Sequence, residues 1–225
     1  MKKIILSLAL LAGAAGTVNA QGLKLGLKGG FNGATFSGSD SKGSEYKAGF
    51  AAGGLLNYAF TDMFSIQPEL LYSQKGASQD FAASGSTPAF TAKSTLGYID
   101  VPILLKVNTG DDGMGLFFEV GPQGSFVINQ RSFTEDGSGK QVGSSNTSTD
   151  GLNKVGIGYV AGLGYQITSG LGLGLRYTGD FSQVLKDGGK SISTTVGGVT
   201  TTTTAANIHN SVFQFQVHYL FSFAK

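Results

Sequence analysis

The chain has 225 residues, with 36 glycines against 4 prolines, no cysteine and a formal net charge of +2. The lack of cysteine excludes disulfides, thiol chemistry and a lipoprotein anchor. Near-neutrality argues against nucleic acid as a partner, and the glycine content is unusual for a globular domain of this size.

Residues 1–20, "MKKIILSLALLAGAAGTVNA", read as a secretory signal peptide. Lys2 and Lys3 give a basic start, Ile4 to about Ala15 an apolar stretch, and Val18-Asn19-Ala20 a cleavage site of suitably small residues. The alternative, a spanning helix, needs ~20 apolar residues, and this stretch is too short. Cleavage after Ala20 leaves residues 21–225 as one domain, in which basic and acidic residues are equal in number. No later segment offers ~18 consecutive apolar residues, so no transmembrane helix is expected.

Eight strands are expected in that domain, at 22–31, 46–58, 63–75, 95–107, 114–128, 154–167, 171–184 and 210–223. Within them the glycines occupy alternate positions, most clearly in "VGIGYVAGLGYQI" (155–167) and "LGLGLRYTGDF" (171–181). Such strands are longer than the usual ~5–6 residues and long enough to cross a bilayer at a tilt. The connections alternate in length. Those at 59–62, 108–113 and 168–170 are short, whereas 32–45, 76–94, 129–153 and 185–209 are long and rich in Ser, Thr and Gly. Short periplasmic turns and longer extracellular loops are the mark of an up-and-down outer-membrane barrel.

The two faces of the strands differ. One carries Leu23, Leu25, Leu27 and Phe31, then Ile99 to Val107, Leu171 to Phe181, and Phe213 to Phe223, each at alternate positions. The other holds Gly156, Gly158, Gly162, Gly164, Gly172 and Gly174 with scattered charges. Eight strands leave room inside for little more than one layer of side chains, so the bulky face is expected to meet lipid and the glycine face to line the lumen. A closed barrel is also the only β architecture that pairs every backbone amide without water. The expected fold is all-β, an eight-stranded antiparallel transmembrane barrel in the outer membrane with both termini in the periplasm.

The successive segments "LKLGLKGGFN", "FSIQPELLYSQKGA", "LGYIDVPILLKVN", "LFFEVGPQGSFVI", "GYVAGLGYQITSGLGLGLRYTGDFSQV" and "SVFQFQVHYLF" resemble, in order, the strands of the PorT-like outer-membrane β-barrel family of Bacteroidetes-type bacteria. That resemblance implies an eight-stranded barrel, usually without an assigned biochemical activity; a few relatives are accessory to secretion or gliding. It also implies outer-membrane lipid and the outer-membrane assembly machinery as partners. Such proteins commonly end in an aromatic residue, whereas here Phe223 is followed by Ala224 and Lys225.

Inward parity collects eight charges: Lys24, Lys28, Glu69, Asp100, Lys106, Glu119, Arg176 and Asp180. Counted from the periplasmic ends, Lys28, Glu69, Glu119 and Arg176 fall at similar heights. An unpaired buried charge is very costly, so opposite charges are expected to pair across the lumen as a polar plug, helped by Gln123, Gln214 and Gln216. The competing reading, an ion or solute path, suffers because eight strands leave no aqueous channel. An enzyme would need a poised base, and only His209 and His218 are available. His218 faces the lumen; His209 and Asp180 share a rim, where an Asp–His pair could activate water. No spacing of His or carboxylates suggests a metal site, and the glycine-rich stretches open no helix. We therefore expect no enzyme, cofactor or metal, and a structural or surface-interaction role; the alternative is an accessory to transport or secretion.

Residues 190–206, "KSISTTVGGVTTTTTAA", place two β-prone arms around Gly197-Gly198. Two glycines suit a two-residue hairpin turn, so the last two strands are expected to continue beyond the membrane as a protruding hairpin. Its exposed edges could pair with an extended segment of an extracellular protein partner. A disordered polar loop is the alternative.

Overall fold

A computed structural model describes residues 22–85, 88–110, 113–168, 170–186, 192–196, 199–203 and 207–221. Among these, eleven strands occur: β1 (Leu23–Ser37), β2 (Lys47–Ala59), β3 (Phe64–Phe81), β4 (Phe90–Asn108), β5 (Gly115–Asp136), β6 (Gln141–Asn146), β7 (Val155–Gln166), β8 (Leu171–Asp180), β9 (Ile192–Val196), β10 (Val199–Thr203) and β11 (His209–Phe221). Eight of them close on themselves in the order β4-β3-β2-β1-β11-β8-β7-β5, with β5 returning to β4. Every neighbouring pair is antiparallel, and the first and last strands of the ring, β1 and β11, pair over thirteen positions from Leu25↔Phe221 to Ser37↔His209. No sheet edge remains within the ring, which is the condition for burying its backbone in hydrocarbon.

Alternation decides what each face meets. Lys28 is 6% exposed between Leu27 at 59% and, three residues on, Phe31 at 74%; Gln67 is fully buried while Leu70 is 59% exposed. The large apolar side chains therefore stand outside, the inverse of a water-soluble barrel. Aromatic rings band the outer wall near the end with the long connections: Tyr46 meets Phe213 at 6.3 Å, Phe213 meets Tyr177 at 5.0 Å, and Tyr159 lies between Tyr177 at 6.0 Å and Phe181 at 5.1 Å. At the end where β1 begins and β11 ends, Phe60 stacks on Phe64 and Tyr219 meets Phe221 edge-on. Two such girdles flank the apolar band of an outer-membrane barrel. Gly179 shows why glycine also lies on the outside: a Cβ there would sit 2.8 Å from the Tyr159 ring, which occupies that space.

Three expectations are corrected. The lumen holds large apolar side chains as well as glycine and polar groups. Leu55, Leu71, Leu104, Phe117, Val160, Val212 and Leu220 are all buried. Inward glycines make room for them. A Cβ on Gly164 would collide with the Phe117 ring, and one on Gly26 would approach Leu220 and Leu55 to 2.9 and 3.1 Å. The lumen is thus packed by pairing large with absent side chains, as a core is.

The second correction concerns the long connections. Residues assigned to loops at 76–94 and 129–153 largely continue as strands, since β3 runs to Phe81, β4 starts at Phe90 and β5 reaches Asp136. Phe81 and Phe90 stack at 4.7 Å, Thr91 donates to Asp80 at 2.7 Å, and Lys93 pairs with Glu135 at 2.6 Å. β6 then pairs with β5 through a turn closed by Asp136, whose Oδ1 accepts from the Ser138 hydroxyl at 2.6 Å and the Lys140 amide at 3.0 Å. The Ser138 hydroxyl, and then the Lys140 amide, hold that exposed carboxyl below its usual range. One wall of the barrel consequently stands taller than the rest.

The third concerns the expected hairpin. Its arms pair as β9 and β10, from Val196↔Val199 to Ile192↔Thr203, but as a separate two-stranded sheet. β8 stops at Asp180 instead of running to residue 184 and on into the hairpin. Beyond it the Phe181 and Ser182 amides both donate to the Ile157 carbonyl, and the chain turns inward to bury Val184 and Leu185. Gly197 and Gly198 themselves lie outside the described residues, as do residues 1–20, assigned to the signal peptide, and Phe223, Ala224 and Lys225.

Candidate functional site

The lumen contains two ion-pair layers between apolar ones. In the first, Glu69 on β3 is the hub. Its Oε1 accepts from Lys28 Nζ at 2.5 Å, Gln67 Nε2 at 2.8 Å and Arg176 Nη2 at 3.0 Å, while its Oε2 accepts from Arg176 Nη1 at 2.9 Å. Arg176 also donates from Nε to Glu119 Oε1 at 2.8 Å. The planar guanidinium therefore clamps one carboxylate bidentately and a second from its flank, the geometry in which Arg pairs are strongest. All four charged side chains are at most 5% exposed.

Ladder register and glycine together permit this contact. Glu119 on β5 and Arg176 on β8 are separated by β7, where Gly162 is the ladder partner of both. A Cβ on Gly162 would lie 3.0 Å from Glu119 Oε1. Likewise, Lys28 on β1 reaches Glu69 on β3 across β2, where its own partner is Gly53. The four residues at equal height in the sequence are brought together here.

Two other expected members stand apart from that cluster. Lys106, the ladder partner of Glu119, makes no ion pair within 4 Å among the described residues; its Nζ lies 4.0 Å from the centre of the Phe117 ring and donates to Gln166 Oε1 at 3.2 Å. His218 shares that acceptor, its Nε2 lying 2.8 Å from Gln166 Oε1. Lys24 is half-buried near the terminal end, opposite Asn57, with no ion-pair partner among the described residues.

Asp100 and Asp180 belong to the second layer, whose cation is Lys75. Lys75 Nζ lies 3.1 Å from Asp100 Oδ1 and 3.7 Å from Asp180 Oδ1. Ser125 donates to Asp100 at 2.6 Å, Asn210 donates to Asp180 Oδ2 at 2.8 Å, and the Tyr98 ring sits 4.6 Å from Nζ. Lys75 is the last residue of the expected strand 63–75 and is absent from the inward charges read from the sequence; it shares parity with Glu69, Leu71 and Ser73, and that parity is the available signal. Above this layer, Leu96, Tyr98, Leu152, Val184 and Leu185 form an apolar cap at the long-loop end. Two loop roots are pulled inward to make it: the Asn153 amide donates to Val184 O at 2.9 Å and the Lys186 amide to Gly151 O at 3.0 Å.

The His209–Asp180 pair that could have activated water at the rim does not form. The His209 ring nitrogens meet Ser182 O at 3.1 Å and Asn207 Oδ1 at 2.7 Å, while Asp180 is engaged by Lys75 and Asn210. No group of three or more His or carboxylate side chains is placed to hold a metal among the described residues. A cavity beside the first layer, lined by Lys28, Asn32, Leu71, Gln214 and Gln216 among others, measures about 10 Å³. That is the space of a single water molecule.

A family model described as "Outer membrane protein beta-barrel domain" matches residues 19–186. Among solved structures the fold is similar to Neisserial surface protein A, at 17% identity and a TM-score of 0.48 over 89% of this chain and 100% of that one. It is also similar to the attachment invasion locus protein Ail of Yersinia pestis (10% identity, TM-score 0.43, 89% and 99% covered) and to OprG of Pseudomonas aeruginosa (12%, 0.39, 91% and 98%). No curated protein matches the chain.

Proposed function

The chain belongs to the outer membrane protein beta-barrel domain family and is an integral outer-membrane β-barrel, and from that premise we propose that it works as a surface-interaction protein on a plugged, non-conducting scaffold. It is a PorT-like barrel of a Bacteroidetes-type bacterium on this reading, carried by "QPELLYSQKGA" (67–77) and "VPILLK" (101–106). A signal peptide delivers it, both termini face the periplasm, and the long connections face outward. It is not an enzyme and takes no cofactor. The observation that carries the reading is the filled lumen: Glu69, Arg176, Lys75 and Leu104 are all at most 3% exposed. A scaffold that spends its interior on packing leaves function to its exterior. There, β3, β4 and β5 rise beyond the ring, β6 has β5 as its one strand neighbour among the described residues, and β9–β10 form a separate sheet. Exposed strand edges suit main-chain pairing with an extended segment of a partner protein.

The test is a deletion strain complemented with the full chain or with a form in which residues 187–206 are replaced by a short turn. The trimmed form is expected to insert and to preserve envelope integrity but to lose surface attachment. Full attachment by the trimmed form, or a deletion defect confined to secretion, would contradict this reading.

A further inference from the structure

Between Lys28 and Asn32 on β1 the inward position is Gly30, which leaves space beside the wall of the lumen. A Cβ there would collide with the Phe215 carbonyl, so the pairing of β1 with β11 keeps the position bare. Gly30 is the ladder partner of Gln216 on β11 and of Ala51 on β2, and Asn32 is the partner of Gln214. These residues, with Lys28, help to line the cavity of about 10 Å³ beside the Glu69 cluster. Two of them carry buried polar atoms that no described residue matches: Asn32 Oδ1, an acceptor, and Gln216 Nε2, a donor. Asn32 and Gln216 are 3% and 5% exposed. Unmatched polar atoms at such depth cost free energy, and native proteins seldom leave them so. We propose that this cavity is a binding site for one structural water molecule, which donates to Asn32 Oδ1 and accepts from Gln216 Nε2 and Lys28 Nζ.

The Asn32 carboxamide is oriented by its other atom. Nδ2 donates to the Phe50 carbonyl at 3.2 Å, to Ser73 Oγ at 3.1 Å and to the Gln74 carbonyl at 2.9 Å. Turning the group over would set its oxygen against two backbone carbonyls, so Oδ1 is the atom left over. Lys28 has three N–H donors and directs one of them at Glu69 Oε1, 2.5 Å away.

This mixture of donors and acceptors suits water better than either kind of ion. An anion would face Asn32 Oδ1, and a cation would face the Lys28 ammonium at close range. Lys28, Glu69, Glu119 and Arg176 carry two charges of each sign, so their layer needs no ion to balance it. Water both donates and accepts. About three hydrogen bonds to otherwise unmatched groups is the usual complement of a buried water, and the cavity is of the size for one. The bound water also extends the plug. Lys28 belongs to the Glu69 layer, whereas Asn32 is tied to Ser73 and Gln74 on β3, next to Lys75 of the second layer. A water shared by Lys28 and Asn32 carries the hydrogen-bond network from the first layer toward the second.

The experiment is crystallography on the full chain refolded in lipid and crystallised with bromide in the buffer, at a resolution that shows ordered water. Closure of the barrel is checked by gel mobility without heating. Density for one water is expected within hydrogen-bond reach of Asn32 Oδ1 and Gln216 Nε2, with no anomalous bromide signal. Gln216→Met keeps the length of the side chain and removes its amide, and the occupancy of that water is expected to fall. A well-ordered wild-type lumen without density at this position, or a bromide in it, overturns the proposal. Water at wild-type occupancy in a closed Gln216→Met barrel overturns the part given to Gln216.

Discussion

Replacing Arg176 with Met is expected to lower the stability of the lipid-embedded barrel by ~3–5 kcal/mol, the scale for removing one partner from a buried charge cluster. Glu69 would keep Lys28 and Gln67, but Glu119 would lose its only ion-pair partner within 4 Å among the described residues. Lys106, its ladder partner, already rests on Phe117 and Gln166 and would have to leave both to compensate. Combining Arg176→Met with Glu69→Gln is expected to cost less than the two single changes added together, because part of each single cost is the charge left behind. The chain has no tryptophan, so the urea transition is followed by circular dichroism or by gel mobility. Strictly additive costs would show that the two groups are not energetically coupled.

Ile103→Arg is expected to cost ~2–4 kcal/mol in lipid, the penalty for a cation near the midplane of a barrel's outer face. Ile103 is 48% exposed on β4, five residues before the strand ends at Asn108, flanked by the fully buried Leu104 and by Pro102, which faces the lumen. Leu173→Arg on β8 should behave alike, with a smaller cost if it lies nearer the interface. Refolding into vesicles of known composition and titrating with urea gives the difference directly. A variant as stable as the parent in bilayers would mean that this face does not meet hydrocarbon.

Both substitutions rest on what alternation makes visible. The eight ring strands were legible because a period of two, with bulky residues on one side and glycine or charge on the other, survives over ten or more residues in each of them. The first ion-pair layer was legible for the same reason. Parity put Lys28, Glu69, Glu119 and Arg176 inside, and counting from the short turns put them level. The second layer was not, because Lys75 stands in "SQKG", whose glycine and polar neighbours imitate a turn. Gly76, at φ 134°, is indeed irregular, yet β3 continues through it. The tall wall was missed because threonine and serine serve strands and loops equally, and only the ladder from Phe81↔Phe90 inward distinguishes them. The apolar cap had no local signal at all. Leu152 and the Val184-Leu185 pair stand among polar residues, and their burial follows from loop roots folding over the mouth. His209 and Asp180 share a rim, as parity implied, but hydrogen bonds to Ser182, Asn207 and Asn210 engage them separately.

The central claim is that this barrel is closed from within, by two ion-pair layers and an apolar cap, so that its function lies outside the lumen. Planar-bilayer recording on the purified, refolded chain tests it most directly. Silence is expected at moderate voltages and salt, because Glu69, Arg176, Lys75 and Leu104 fill the lumen at 3% exposure or less, and eight strands leave no aqueous channel. Steady, discrete conductance steps that scale with salt concentration would contradict the account and make the lumen a path.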